Sequence, residues 1–237
     1  MAQPDKKQLG FDAAAFNARF QEDLIVDGEI VRHRLSSRVV HWWVALSCLF
    51  CLLTGLPIWI PVYGWMANVF GGLAVCRVLH PFFGVAFFLG QGAMHLHWSK
   101  DMKMSPRERS WVGPKLLEYL RDEANHADIG KYNGGQKVYF NTSFLAAVGL
   151  LVSGIVLWFP ESFPRSLRGP AILLHEVTFI ALFVSLVFHV YLASIAEPGT
   201  FGAMMRGTVS KAWARIHHPR WYREVVEGKR IPSNPYS

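Results

Sequence analysis

Four histidines stand inside or at the rims of long apolar stretches of this 237-residue chain: His41, His80, His175 and His189. An imidazole at such depth has no water to bond and needs a partner, so it marks proton, ion or metal chemistry. His175 and His189 are fourteen residues apart on one stretch. On a helix that spacing sets the rings about 21 Å apart along the axis and about 40° apart around it, so both face the same way. One helix thus offers a metal ligand at each of two depths, and His41 and His80, on two other stretches, are the candidate opposite ligands. Two imidazoles on one iron leave no open position for oxygen chemistry, which points to electron transfer by haem. Arg38-Val-Val-His41 and Arg77-Val-Leu-His80 each put an arginine three residues before a histidine, on the same helix face. Arg38 and Arg77 are placed either to pair with haem propionates or to anchor their helices at the membrane interface.

The elements that must position these side chains are membrane helices. Crossing the hydrocarbon layer takes about 20 helical residues, and four runs are long enough: Val39–Ile60, Leu73–Trp98, Val138–Phe159 and Ala171–Ala196. Unpaired backbone groups are not tolerated in lipid, so each run is a helix, and the expected fold is an all-α integral membrane four-helix bundle. Arg32, Arg34 and Arg38 precede the first run, eight Lys or Arg from Lys100 to Lys137 fill the second connection, and seven more follow the fourth run. The first connection, 61–72, has no charge. By the positive-inside rule both termini are cytoplasmic. His41 and His189 then share the cytoplasmic depth and His80 and His175 the periplasmic one, with two haems stacked between the helices.

Composition agrees: 51% of residues are hydrophobic and 17% charged, a balance unusual for a soluble domain. The net charge of +7 comes from residues flanking the apolar runs, so it speaks for topology and not for nucleic acid. Cys48, Cys51 and Cys76 make no disulfide framework, no CxxCH motif is present, and the haems expected are therefore non-covalent haem b. The Cys48/Cys51 pair lies in an apolar helix and reads as packing. Residues 1–31 form a polar segment without a functional reading, 32–219 the di-haem domain, and 220–237 a cytoplasmic tail. His95 and His97 compete with His41 and His189 as ligands but sit beside the charged loop at Lys100. His33, His126, His217 and His218 lie outside the runs and read as solvated.

The pattern Arg38-Val-Val-His41-Trp42-Trp43, Leu79-His80-Pro81-Phe82-Phe83-Gly84, Lys131-Tyr132-Asn133-Gly134-Gly135-Gln136-Lys137 and the His175/His189 pair resembles the γ subunit, the cytochrome b556 subunit, of the membrane-bound formate dehydrogenases. The resemblance covers about residues 32–219. It implies that His80 and His175 ligate a periplasmic haem, that His41 and His189 ligate a cytoplasmic one, and that the loop with Asn133 and Gly135 binds quinone, menaquinone or ubiquinone. It further implies a bacterial inner membrane location, an iron–sulfur β subunit as electron donor and a molybdenum- or tungsten-containing α subunit that oxidises formate, and it leaves open a trimer of such heterotrimers. Read from residues alone, Asn133-Gly134-Gly135 is a turn signal before an apolar helix, and it punctuates a loop as readily as it binds a ligand. Two other readings remain at this point. One is a di-haem subunit of another periplasmic oxidoreductase, such as a nickel–iron hydrogenase or a sulfur-compound reductase. The other is a haem-free anchor or transporter whose histidines relay protons.

Overall fold

The computed structural model describes residues 20–109 and 129–228. Four of its helices are long and apolar enough to cross a membrane: α1, Leu35–Trp59; α2, Leu73–Trp98; α3, Gly134–Trp158; and α4, Arg168–Tyr191. The second coincides with the expected run, while α1 and α3 each begin four residues earlier. Between α1 and α2 lies the 3-10 helix Pro61–Phe70, ended by Gly71 at φ 91°, a left-handed position that suits glycine. A π turn, Leu192–Ala196, continues α4. His126, Lys115, Arg121, Lys229 and Arg230 lie outside the described residues.

The spans form one compact unit, Val39–Met102 with Val138–Val190. Its core takes one side chain from each helix, Val44, Phe87, Ala147 and Leu182, and Cys48 and Cys51 pack against it as free thiols. Trp43 Nε1–H donates to the Ala86 carbonyl at 3.0 Å, tying α1 to α2. A Cβ at Gly90 would stand 3.0 Å from Val44 and 3.1 Å from Trp43, so glycine lets these helices approach closely, as small residues do in membranes. The outward faces are apolar and exposed, with Leu46, Leu49, Val152, Val187 and Phe188 among them. That is the arrangement of a chain whose solvent is lipid: it is a multi-pass membrane protein.

A second compact unit draws on the described residues of three stretches, 20–38, 103–137 and 191–228. It contains an antiparallel sheet in the order β1-β2-β3, with β1 Ile25–Val26, β2 Glu29–Val31 and β3 Thr208–Ser210. Asp27 and Gly28 turn the β1–β2 hairpin with φ of 50° and 84°, the positive pair that Asp-Gly accommodates. Three short helices follow α4: α5, Thr200–Met205; α6, Lys211–His217; and α7, Pro219–Val226.

This unit has its own core, Ile30, Ala203, Val209, Trp213, Ala214 and Trp221, and it corrects two expectations. His33 and His218, expected to be solvated, are 2% and 1% exposed, because residues outside the bilayer pack around the sheet instead of trailing in water. His33 stacks on Tyr132. Arg32 lies 4.9 Å from the Trp213 ring and 5.1 Å from that of Trp221, desolvated contacts of a kind worth about 2 kcal/mol. Its guanidinium donates to the Lys131 carbonyl, and burial pushes its pKa down to about 10. Lys131 pairs with Glu22 at 2.8 Å and Asp23 at 2.9 Å. Glu22 also accepts from the Arg34 amide and the Ser37 hydroxyl, placing a carboxylate where the start of α1 has unsatisfied N–H groups.

Two groups set this unit's response to acid. His218 donates Nδ1–H to the Gly130 carbonyl at 2.7 Å, and burial, with the Arg32 cation nearby, holds its pKa well below 6.5. Burial alone would raise the Glu22 carboxyl, but Lys131 and the two hydrogen bonds outweigh it and hold it below 4.5. In both cases the unfolded chain takes up protons that the folded chain refuses, so stability is full above the unfolded values and falls with pH below them, first for His218 and then for Glu22. Going from about pH 7.5 to about pH 5.5 is expected to loosen the unit through His218. Amide protection factors at residues 208–226, measured against the intrinsic rate at each pH, should fall over that step, and much less so in His218→Gln.

Candidate functional site

The helices bring the four histidines together in two pairs. His41 of α1 and His189 of α4 have ring centroids 6.2 Å apart, with planes at 47°. His80 of α2 and His175 of α4 have centroids 6.2 Å apart, with planes at 66°. The pairing by depth expected from alternating helix direction is thus the pairing in space, with α4 contributing to both. His95 and His97 join neither pair. His95 stacks between Phe140 and Phe144 at 5.1 Å and 4.3 Å, and His97 meets Trp98 edge-on.

Each ring is oriented by neighbours. His189 stacks on Tyr139 of α3 at 4.6 Å and 9°, and His41 is held edge-on by Trp42 at 5.4 Å. His80 Nδ1 lies 3.1 Å from the Cys51 carbonyl. A carbonyl only accepts, so that nitrogen carries the proton and Nε2 keeps its lone pair. The Thr54 hydroxyl, 3.2 Å from the same nitrogen, gives its own hydrogen to the Phe50 carbonyl at 2.6 Å and offers a second acceptor. His175 Nδ1 is 2.9 Å from the Ser153 hydroxyl, whose hydrogen goes to the Gly149 carbonyl at 2.7 Å. The Leu150 carbonyl is a further acceptor for His175, so Ser153 also accepts from Nδ1–H, again leaving Nε2 as the ligating atom. His41 Nδ1 is buried with no hydrogen-bond partner among the described residues.

The donor set fits a bis-imidazole metal. An imidazole nitrogen sits about 2 Å from its metal and the ring centre roughly 1.2 Å further on, so two rings on opposite sides of one ion have centres about 6.4 Å apart. Both pairs meet that spacing. Glycines flank the rings: a Cβ at Gly154 would stand 3.6 Å from His175, and at Gly84, one turn past His80, it would meet open space, which suits a flat macrocycle.

The other residues singled out from sequence are more dispersed. Arg38 donates to the Met205 carbonyl at 2.7 Å. Arg77 is exposed. Asn133 and Gly135, read from sequence as a turn, instead begin α3. Asn133 Oδ1 accepts from the Gln136 amide at 2.8 Å, and Gln136 Oε1 accepts from the Asn133 amide at 3.0 Å. This reciprocal cap satisfies two helix-end donors, so Gly134 and Gly135 are the first helical residues. Sequence reasoning passed over Thr54, Ser153, Tyr139 and Glu176. Of these only Glu176, an acid beside His175 in an apolar run, carries a signal that hydropathy alone could have raised.

With four apolar helices and paired intramembrane imidazoles established, the comparisons give the class. Residues 32–207 match the family described as prokaryotic cytochrome b561, and the chain belongs to that family: it is a membrane b-type cytochrome, an electron-transfer protein that carries haem b. Among its relatives is the nitrate-inducible formate dehydrogenase cytochrome b556(Fdn) subunit of Escherichia coli K12, 34% identical over 204 residues, 84% of this chain and 93% of the relative. The formate dehydrogenase cytochrome b556 subunit of Haemophilus influenzae is 35% identical over 208 residues, 86% of each chain. The cytochrome b556(fdo) subunit of formate dehydrogenase from Escherichia coli K12 is 34% identical over 199 residues, 83% of this chain and 93% of the relative.

Packing around His80 gives a direct test. A Cβ at Gly55 would lie 2.8 Å from His80 Cε1, whereas at Gly64 it would meet nothing within 4 Å. Gly55→Ala is expected to displace the His80 ring and change the reduced b-type α band or lower the haem content, while Gly64→Ala leaves both at the parent values.

Proposed function

We propose that this chain is the membrane cytochrome b subunit of a formate dehydrogenase complex in a bacterial inner membrane, taking electrons from a periplasmic iron–sulfur subunit and delivering them to quinone on the cytoplasmic side. The observation that carries the reading is the pair of imidazole couples at one common separation of 6.2 Å, supported by relatives named as formate dehydrogenase subunits. His80 and His175 hold one haem b and His41 and His189 the other. When bound, the two haems supply reversible one-electron chemistry at two depths of the bilayer. This chain has no part in formate oxidation, which belongs to a molybdenum- or tungsten-containing partner.

The protein's own residues set ligand orientation, cofactor charge and quinone binding. Nδ1–H bonds and aromatic stacking fix the imidazoles. Arg38 and Arg77, each one turn from a ligand, neutralise haem propionates. At the start of α3 the Asn133 side-chain amide has its oxygen committed to the helix cap and its N–H groups left to donate to a quinone carbonyl. Gly135 lies beside it, where a Cβ would stand 3.4 Å from Asn133 Oδ1, in ordinary contact with the capping oxygen. With electrons entering from the periplasm and quinol protons drawn from the cytoplasm, turnover moves charge across the membrane and builds a proton-motive force without a proton channel.

Purified protein is expected to hold two haem b per chain, and His189→Ala or His41→Ala to hold one, with the remaining haem still reducible. Haem-to-protein ratio and the reduced α band measure this, and retention of both haems in those variants would remove the assignment. Asn133→Asp keeps the cap but loses the donor, so it should slow quinol formation at unchanged haem content. Asn133→Ala also costs the cap, about 1 kcal/mol. Unchanged quinone reduction in Asn133→Asp would exclude that residue from the quinone site.

A further inference from the structure

The two histidine pairs differ in one respect that alignment of helices alone does not require. His80 and His175 both give their Nδ1–H to oxygen: His80 to the Cys51 carbonyl at 3.1 Å with Thr54 at 3.2 Å, and His175 to Ser153 at 2.9 Å. In the other couple, His41 Nδ1 is buried without a hydrogen-bond partner among the described residues, and His189 is oriented by the face of Tyr139. A hydrogen bond from the distal N–H pulls the proton away from the ring, raises the basicity of the ligating nitrogen and strengthens its donation to the metal. Stronger donation favours the ferric over the ferrous state and lowers the reduction potential.

We propose that Ser153 and Thr54 are positioning residues that make the haem between His80 and His175 the lower-potential of the two, an inference that rests on the ligand assignment above. The device is encoded in α1 and α3 and not in the ligands. Ser153 is 1% exposed and Thr54 0% exposed, and both have their own hydrogens fixed by the carbonyl one turn back, so each presents only a lone pair to its imidazole. A hydroxyl in an apolar helix often makes that backbone bond by itself; here it also imposes the tautomer of a ring on a neighbouring helix. Electrons entering at the more reducing centre then run downhill towards the His41 and His189 couple. Glu176, next to His175 in sequence, places an acid on the same side, and variants of Ser153 leave it untouched.

Redox titration of the holoprotein, followed at the α band of each haem, tests this. Ser153→Ala is expected to raise the potential of one haem by the equivalent of about a tenfold change in its ferric-to-ferrous ratio, about 59 mV for one electron, and to leave the other unmoved. Ser153→Thr, which keeps the hydroxyl, is expected to restore the parent value. Thr54→Val should raise the same haem as well, the Cys51 carbonyl remaining to His80 as the Leu150 carbonyl remains to His175, and it gives the answer if Ser153→Ala loses haem. An unmoved potential in a variant that retains both haems overturns the inference, as does an equal shift of both haems. The haem-to-protein ratio of the parent, taken on the same samples, separates the two levels. A ratio of two with unmoved potentials refutes only the tuning, and a ratio below two refutes the ligand assignment.

Discussion

An imidazole sunk among apolar helices has two nitrogens to satisfy, and much of the spanning unit answers that demand for the His80 and His175 couple, while His41 Nδ1 is buried without a hydrogen-bond partner among the described residues. The two rings of each couple stand with their centres 6.2 Å apart. In the His80 and His175 couple each Nδ1 meets an oxygen, from the Cys51 backbone or the Ser153 hydroxyl. Helix direction, the glycines beside the rings and the back-bonded hydroxyls serve to hold that arrangement where water cannot correct an error. The cost of an unmet polar group in such surroundings, several kcal/mol, is what makes the geometry specific.

Sharing α4 between both couples links the two centres mechanically. A helix is stiff along its axis, so the fourteen residues between His175 and His189 act as a ruler. The azimuth of one ring cannot change much without moving the other. The opposing ligands come from separate helices, α1 and α2, each pinned to the common core by its own contacts, including Trp43 to Ala86 and the close approach at Gly90.

What could be read from sequence was what depends on one helix at a time. The four spans follow from run length, and the common facing of His175 and His189 follows from their spacing. Pairing of His41 with His189 and of His80 with His175 needed only the alternation of helix direction. Features that depend on register between helices stayed hidden: Thr54 and Ser153 look like ordinary packing hydroxyls until the rotation of α1 and α3 against α2 and α4 is known. Asn133-Gly134-Gly135 misled for a local reason, since two glycines after an asparagine read as a turn, whereas Gln136 three residues on completes a helix cap. His33 and His218 misled because a small core outside the bilayer, built from stretches far apart in the chain, leaves no periodic trace. Asp27-Gly28 was the one local sign of the hairpin within it.

That outer unit also bears on how the protein is made. Strand β2, residues 29–31, finds its partner β3 only at residues 208–210, so the hairpin's open edge stays unpaired while all four membrane segments are synthesised and inserted. Arg32 likewise waits for Trp213 and Trp221 to arrive before its charge is enclosed. Closure of the sheet therefore follows synthesis of the four spans and is available only to a chain translated past residue 210. A nascent polypeptide stalled before that point leaves the outer edge of its amino-terminal hairpin unpaired, the kind of exposed strand edge that invites pairing with another chain.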